Sequence, residues 1–201
     1  IRKICTKNNI VLIFDECTSG FRQTHGALHT KYSKDIYPDM SIFGKALGNG
    51  YAINAIIGKD SIMKEASNSF ISSTFWTERI GPSAAIKTLD IMKKEKSWDK
   101  ITKTGKYIIS NWKKISKKHK IPIDISGIPS LSTFTFRSKN NLKYRKLITQ
   151  EMLKKGFLAS NTIYVSTAHK KKIVNKYLFH LDNIFKIIKK YEKRKPIDRL
   201  F

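Results

Sequence analysis

A chain of 201 residues allows one large domain or one and a half smaller ones. Its 40% hydrophobic residues, with 11 Phe and 8 Tyr, can fill a core and exclude global disorder. Forty Lys and Arg against 15 Asp and Glu give a net charge of +25, and no apolar run approaches the roughly 20 residues of a membrane span.

Two readings of that charge compete. One is a basic, non-enzymatic module for nucleic acid. The other is compositional drift: 33 of the basic residues are Lys and 7 are Arg, and they accompany many Ile and Asn, as in an A/T-rich coding sequence. Phosphate and base readout favours Arg forks with interleaved aromatics. The lysines here read as polar helix faces, so drift is preferred and no specific nucleic acid or membrane partner is expected.

In chain order, IRKICTKNN reads as the end of a helix before a strand. The expectation is that the chain is the C-terminal part of something longer. Ile10 to Phe14 (IVLIF) is a continuous apolar run that predicts a buried parallel strand, closing on Asp15-Glu16. Ligands of open α/β sheets bind outside such strand ends. Ile42-Phe43 is strand-like and leads into the glycine-flanked loop of Lys45. Ile53 to Ile57 (INAII) predicts a second strand of the same kind. Gly81-Pro82 opens a helix whose narrow apolar face is Ala84, Ala85, Leu89 and Met92.

A helix follows over about Gly105 to His119, with Ile108, Ile109, Trp112 and Ile115 at helical spacing. Ile121 to Pro129 is broken by prolines and a glycine. Leu131 to Phe136 (LSTFTF) alternates as a half-buried strand does. Leu142 to Lys155 is helical, with Gly156 as its stop. Ile173, Val174, Tyr177, Leu178, Leu181, Ile184, Phe185 and Ile188 form the apolar stripe of a last helix, before an exposed basic tail from Lys189. The boundary is set near Lys96: residues 1–95 read as a piece of a larger α/β sheet, and residues 96–201 as a small α+β domain.

Taken alone, Asp15 is a helix cap or surface acid, and Lys45 is a solvated lysine. Together they suggest more. A lysine amine can form a Schiff base with a carbonyl cofactor, and a pyridinium nitrogen needs an acidic partner. That pair is the protein's side of pyridoxal phosphate chemistry. Cys5 and Cys17 lie far from metal-ligand spacing and read as reduced, structural thiols in a cytoplasmic protein. His25, His29, His119, His169 and His180 show no metal spacing and read as structural or surface residues.

The motifs now carry a resemblance. Phe14-Asp15-Glu16, Gly20-Phe21-Arg22, Pro38-Asp39-Met40 and Phe43-Gly44-Lys45-Ala46-Leu47-Gly48-Asn49-Gly50, in that order, resemble the class III pyridoxal-phosphate aminotransferases. The glutamate-1-semialdehyde aminomutase-like branch looks closest. Ser73-Thr74-Phe75, Ser126-Gly127 before LSTFTF, and SNTIYVSTAH from Ser160 to His169 extend the resemblance over essentially the whole chain.

That resemblance implies the fold type I architecture in part: the end of the large mixed or parallel-sheet domain plus the small C-terminal α+β domain. It implies pyridoxal 5'-phosphate as cofactor and Lys45 as the Schiff-base lysine and proton shuttle. Asp15 is then the partner of the pyridine nitrogen, Cys17 an apolar contact on one ring face, and Thr74 a phosphate ligand donated across a homodimer. Glu16 and Arg22 are expected to hold the loop.

Two departures qualify the activity. WTERIGPSAA, from Trp76, stands where the family carries Asn-Pro, so the substrate side is altered. SNTIYVS lacks the acid of the aminomutase, which favours transamination between an amino donor and a carbonyl acceptor over glutamate-1-semialdehyde 2,1-aminomutase activity. The phosphate-binding loop of the family lies upstream of Ile1, so these residues alone are expected to be inactive.

Overall fold

The structure, a computed structural model, describes residues 1–71, 73–75 and 77–194, with side chains through residue 192. The chain divides between Asp99 and Lys100 into two units, and each is organised by its own three-stranded sheet among the described residues.

In the first unit, β1 (Ile13–Asp15) runs parallel to β2 (Met40–Phe43), with Ile13 opposite Met40 and Asp15 opposite Ile42. β3 (Ala55–Gly58) pairs with the other edge of β2, antiparallel, with Phe43 opposite Ala55. The sheet is therefore mixed.

Both strand expectations need correction. The first run forms a strand only from Ile13, and Ile10, Val11 and Ile13 are 53%, 42% and 48% exposed. The second run is antiparallel rather than parallel, starts at Ala55, and leaves Ile56 and Ile57 exposed. A run that is apolar on both faces is buried only where both faces are covered. Within this unit the covering layer is small: Ala27, Phe43, Leu47 and Ala85, with Phe21, Ile53, Ala55 and Leu89 against them. Ala85 and Leu89 come from α3 (Ile80–Glu95), which follows the one-turn α2 (Asp60–Met63); of the expected narrow apolar face, these two join the cluster and Ala84 and Met92 do not.

What apolar packing does not supply, Asp39 does. Buried just before β2, its carboxylate accepts from Leu12 N (2.8 Å), Arg2 Nη1 (2.7 Å) and Lys59 Nζ (2.7 Å). Arg2 lies on α1 (Arg2–Lys7), Leu12 precedes β1, and Lys59 follows β3. The Leu12 N–H first, then the two cations, hold the Asp39 carboxyl well below the usual carboxylate range.

The second unit is built on α4 (Ser97–His119), which starts eight residues before the sequence expectation. Trp112 is fully buried, stacks edge-on against Phe134 (4.8 Å between centroids), and donates from Nε1 to Tyr177 Oη (3.0 Å). The stretch expected to be broken contains β4 (Ile123–Ile128). Its prolines, 122 and 129, flank the strand instead of interrupting it. β5 (Leu131–Phe136) is the half-buried strand its alternation predicts, with Ser132, Phe134 and Phe136 on the buried face. It pairs antiparallel with β4 and with β6 (Thr162–Tyr164). α5 (Asn141–Leu153) and α6 (Lys171–Arg194) close the core. The apolar stripe of α6 is buried except for Ile173.

Candidate functional site

β1 and β2 are parallel neighbours, so the turns that leave their C-terminal ends emerge side by side. Glu16 N extends the pairing by donating to Ile42 O (2.9 Å). One turn carries Asp15, Cys17 and Thr18, and the other carries Gly44 to Gly50 with Lys45. Residues 30 positions apart in sequence are thereby brought together at a strand-end crevice.

The Lys45 loop is held by its own backbone: Leu47 N donates to Gly44 O (3.0 Å), Asn49 N to Lys45 O (3.1 Å) and Tyr51 N to Gly48 O (3.1 Å). Lys45 takes the left-handed conformation (φ 45°), which a non-glycine residue adopts only when its surroundings impose it. The flanking glycines let the protein approach itself. A Cβ on Gly44 would stand 2.3 Å from Asn54 Oδ1, and one on Gly48 would stand 2.1 Å from Tyr51 O. The loop is thus wedged on both sides of Lys45, while the lysine itself is exposed.

The amine of Lys45 donates to Thr18 Oγ1. Asp15 is exposed, so burial opposes its charge without overcoming its partners. Its Oδ1 accepts from Cys17 N (3.0 Å). That N–H, then the Cys17 thiol and, after opposing burial, the Lys45 charge lower the Asp15 carboxyl below its ordinary value. Burial and the Asp15 charge push the Cys17 thiol up, against the pull of Lys45, which keeps it protonated. Electrostatics therefore tie Asp15, Cys17 and Lys45 into one cluster.

Glu16 and Arg22 do hold the loop. Buried Glu16 accepts from Leu28 N, from His29 N (3.1 Å) and pairs with His29 Nδ1 (2.7 Å). Arg22 Nε donates to Thr18 O (2.7 Å), steadying the residue that meets Lys45. Thr74 is exposed on a turn where Phe75 N donates to Ser73 Oγ (3.2 Å). Among the described residues, no hydrogen bond joins Thr74 to Asp15, Cys17 or Lys45. Trp76, which opens the departing WTERIGPSAA segment, lies outside the described residues.

Sequence reasoning missed Thr18 and Asn54. A hydroxyl three positions after Asp15 was the available signal for Thr18. Asn54 gave none, because its role depends on the missing side chain of Gly44. Among the described residues no three His, Cys, Asp or Glu side chains gather as a metal site, and no helix is long and apolar enough to cross a membrane.

The family model described as aminotransferase class-III matches residues 1–190. A 3-aminobutyryl-CoA aminotransferase of Cloacimonas acidaminovorans is 34% identical, the alignment covering 75% of this chain and 36% of that protein. A glutamate-1-semialdehyde 2,1-aminomutase of Wigglesworthia glossinidia brevipalpis is 30% identical, over 94% of this chain and 47% of that protein. The solved FumI protein of Sphingopyxis sp. MTA144, in a form carrying pyridoxal phosphate, superposes with a TM-score of 0.87 at 23% identity, over 99% of this chain and 48% of its own. The chain spans about half the length of such relatives or less. It belongs to the class-III aminotransferase family, and its fold is part of the fold type I transferase architecture.

Proposed function

We propose that this class-III aminotransferase chain carries the lysine-bearing part of a pyridoxal-phosphate enzyme that moves an amino group from an amino donor to a carbonyl acceptor. The observation that carries the reading is the meeting of Lys45 and Asp15 at the ends of two adjacent parallel strands. The donor set suits the cofactor: an exposed amine for its carbonyl and a carboxylate kept ionised for its ring nitrogen.

Bound there, pyridoxal phosphate would supply an electron sink for bonds broken next to nitrogen. The rest falls to this chain's residues. Lys45 Nζ would hold the cofactor and, once displaced by the substrate's amine, would move a proton between the substrate carbon that bears nitrogen and the cofactor's carbonyl carbon. Its loop, wedged by Asn54 and Tyr51, fixes where that amine can reach, and Thr18 Oγ1 gives it a resting partner. Asp15, ionised over the working range, would keep a proton on the ring nitrogen. Cys17, protonated and partly buried, would present its sulfur as a small apolar contact on the ring face. Thr74, exposed on its turn, would donate its hydroxyl to the phosphate in the neighbouring subunit of a homodimer.

Transamination is favoured over aminomutase activity because SNTIYVS brings no acid to β6. The free thiols of Cys5 and Cys17 suit the reducing cytoplasm. Because the chain spans about half of its relatives, these 201 residues are proposed not to turn over by themselves.

The test uses the full-length protein. Borohydride treatment followed by peptide mapping should place the cofactor mass on the peptide containing Lys45. Lys45→Ala should lose that mass and lower amino transfer by about 100-fold to 10,000-fold, the range for a positioned proton-transfer group. A cofactor mass on another lysine, or none in the wild type, would sink the reading. Isotope from a labelled donor should appear in a separate acceptor. Its retention within one molecule would select the aminomutase instead.

A further inference from the structure

The charge is not spread evenly. Residues 1–99 hold 14 Lys and Arg against 10 Asp and Glu, a net of +4. Residues 100–201 hold 26 against 5, a net of +21. Drift in coding composition would raise lysine in both units alike. It does not account for a second unit that keeps half as many acids and nearly twice as many bases.

The structure gathers much of this charge on one surface. α4 and α6 lie side by side and run in the same direction: Tyr107 meets Asn175, Trp112 meets Tyr177, and Lys118 meets Asp182. Their apolar stripes face the core, so their polar stripes share the opposite side. Helical spacing sets Lys103, Lys114 and Lys117 on the exposed face of α4, and Lys172, Lys186 and Lys190 on that of α6. The ridge extends roughly 35 Å, the length of a 23-residue helix.

Few carboxylates offset it. The four described acids of this unit are already engaged: Asp124 with Arg137, Glu151 with Lys154, Asp182 with Lys118 and His119, and Glu192 with Tyr144. Two aromatics stand among the lysines, Tyr107 at 41% exposure and Phe179 at 65%. Cations that follow a backbone, with aromatic faces between them, are the chemistry of sequence-independent single-strand binding. A membrane surface would want a contiguous apolar edge, whereas Phe179 stands on a ridge of lysines.

We infer that the α4–α6 ridge is a docking surface for single-stranded nucleic acid, bound through its phosphates without sequence preference. The test measures fluorescence anisotropy of a labelled 20-nucleotide oligo(U) with the full-length protein across a salt series. Two triple variants remove equal charge: Lys114→Gln, Lys172→Gln and Lys186→Gln on the ridge, and Lys31→Gln, Lys34→Gln and Lys87→Gln in the first unit. The ridge variant should bind at least tenfold more weakly and flatten the salt slope by about 2, at roughly 0.7 for each phosphate no longer neutralised. The first-unit variant should bind as wild type, and Phe179→Ala should lose about fivefold through stacking. Equal weakening in both triple variants would reduce the effect to net charge and overturn the surface. So would no binding at all, or tighter ridge-dependent binding to phosphatidylglycerol vesicles than to the oligonucleotide.

Discussion

Among the described residues, nineteen buried hydrophobic side chains form one cluster in the unit that begins at Lys100, and four form the cluster of Ile1–Asp99. The larger cluster draws on α4, β5, α5 and α6, and β4 and β6 pack partly buried isoleucines against it. The smaller one lies under the Lys45 loop, and the rest of its unit is tied by polar knots at Asp39 and Glu16. One unit is held by non-directional burial that many residues share, the other by a few directional contacts. The chemistry we propose sits in the second kind. A site that must fix an amine and a carboxylate gains from directional ties, and it forgoes the redundancy of a large core.

The contrast can be attacked from both ends. The largest effect is expected from Trp112→Ala, which empties the centre of the large core and should cost about 3–5 kcal/mol, read as a lowered urea midpoint. If burial is shared as described, that loss will leave the amide protection of β1 and β2 unchanged in hydrogen exchange.

Asp39→Asn probes the other side. Removing a charge that accepts three hydrogen bonds should cost roughly 1.5–3 kcal/mol. It should appear as faster exchange at Leu12 N and along β2, with little change around Trp112. The same knot predicts a pH dependence. Because the folded carboxyl lies far below its ordinary value near 3.9, its stabilisation is complete above that value and drains away as pH falls beneath it. First-unit protection should therefore fade in acid in the wild type and show less pH dependence in Asp39→Asn. Equal fading in both would remove Asp39 as the cause.

The smallest effect on stability, and the most local, is expected from Gly48→Ala. Its new methyl collides with Tyr51 O at 2.1 Å and with Ile53 Cγ2 at 2.8 Å, so the loop must shift. Overpacking of this kind costs about 1–3 kcal/mol. Cofactor retention in the full-length protein should drop while the urea transition of the second unit stays put. An unchanged cofactor content would mean that the loop tolerates displacement.

Legibility followed the same division. In the second unit, helical stripes and the alternation of LSTFTF announced elements that the core then confirmed, because one-sided burial writes a period into the sequence. β4 escaped because prolines beside a strand look like prolines within one. In the first unit, IVLIF and INAII carried no period, so direction and exposure stayed hidden: β3 is antiparallel and its isoleucines face outward. Asp15 and Lys45 could be paired by their chemistry. The hydroxyl of Thr18, the wedge of Asn54 and the triple role of Asp39 exist only once the strands are side by side.

The parallel register of β1 and β2 has an evolutionary corollary. Twenty-four residues separate Asp15 from Met40, yet the spacing of Asp15 and Lys45 is set by strand pairing and not by that stretch. A one-residue slip in the pairing would turn every side chain of β1 to the other face. An insertion at the exposed tip near Lys31 to Asp35 would move neither Asp15 nor Lys45. The tip from Lys31 to Asp35 is thus free to lengthen, shorten or acquire new specificity across generations, while the strands act as the ruler that holds the Lys45 amine and the Asp15 carboxylate side by side.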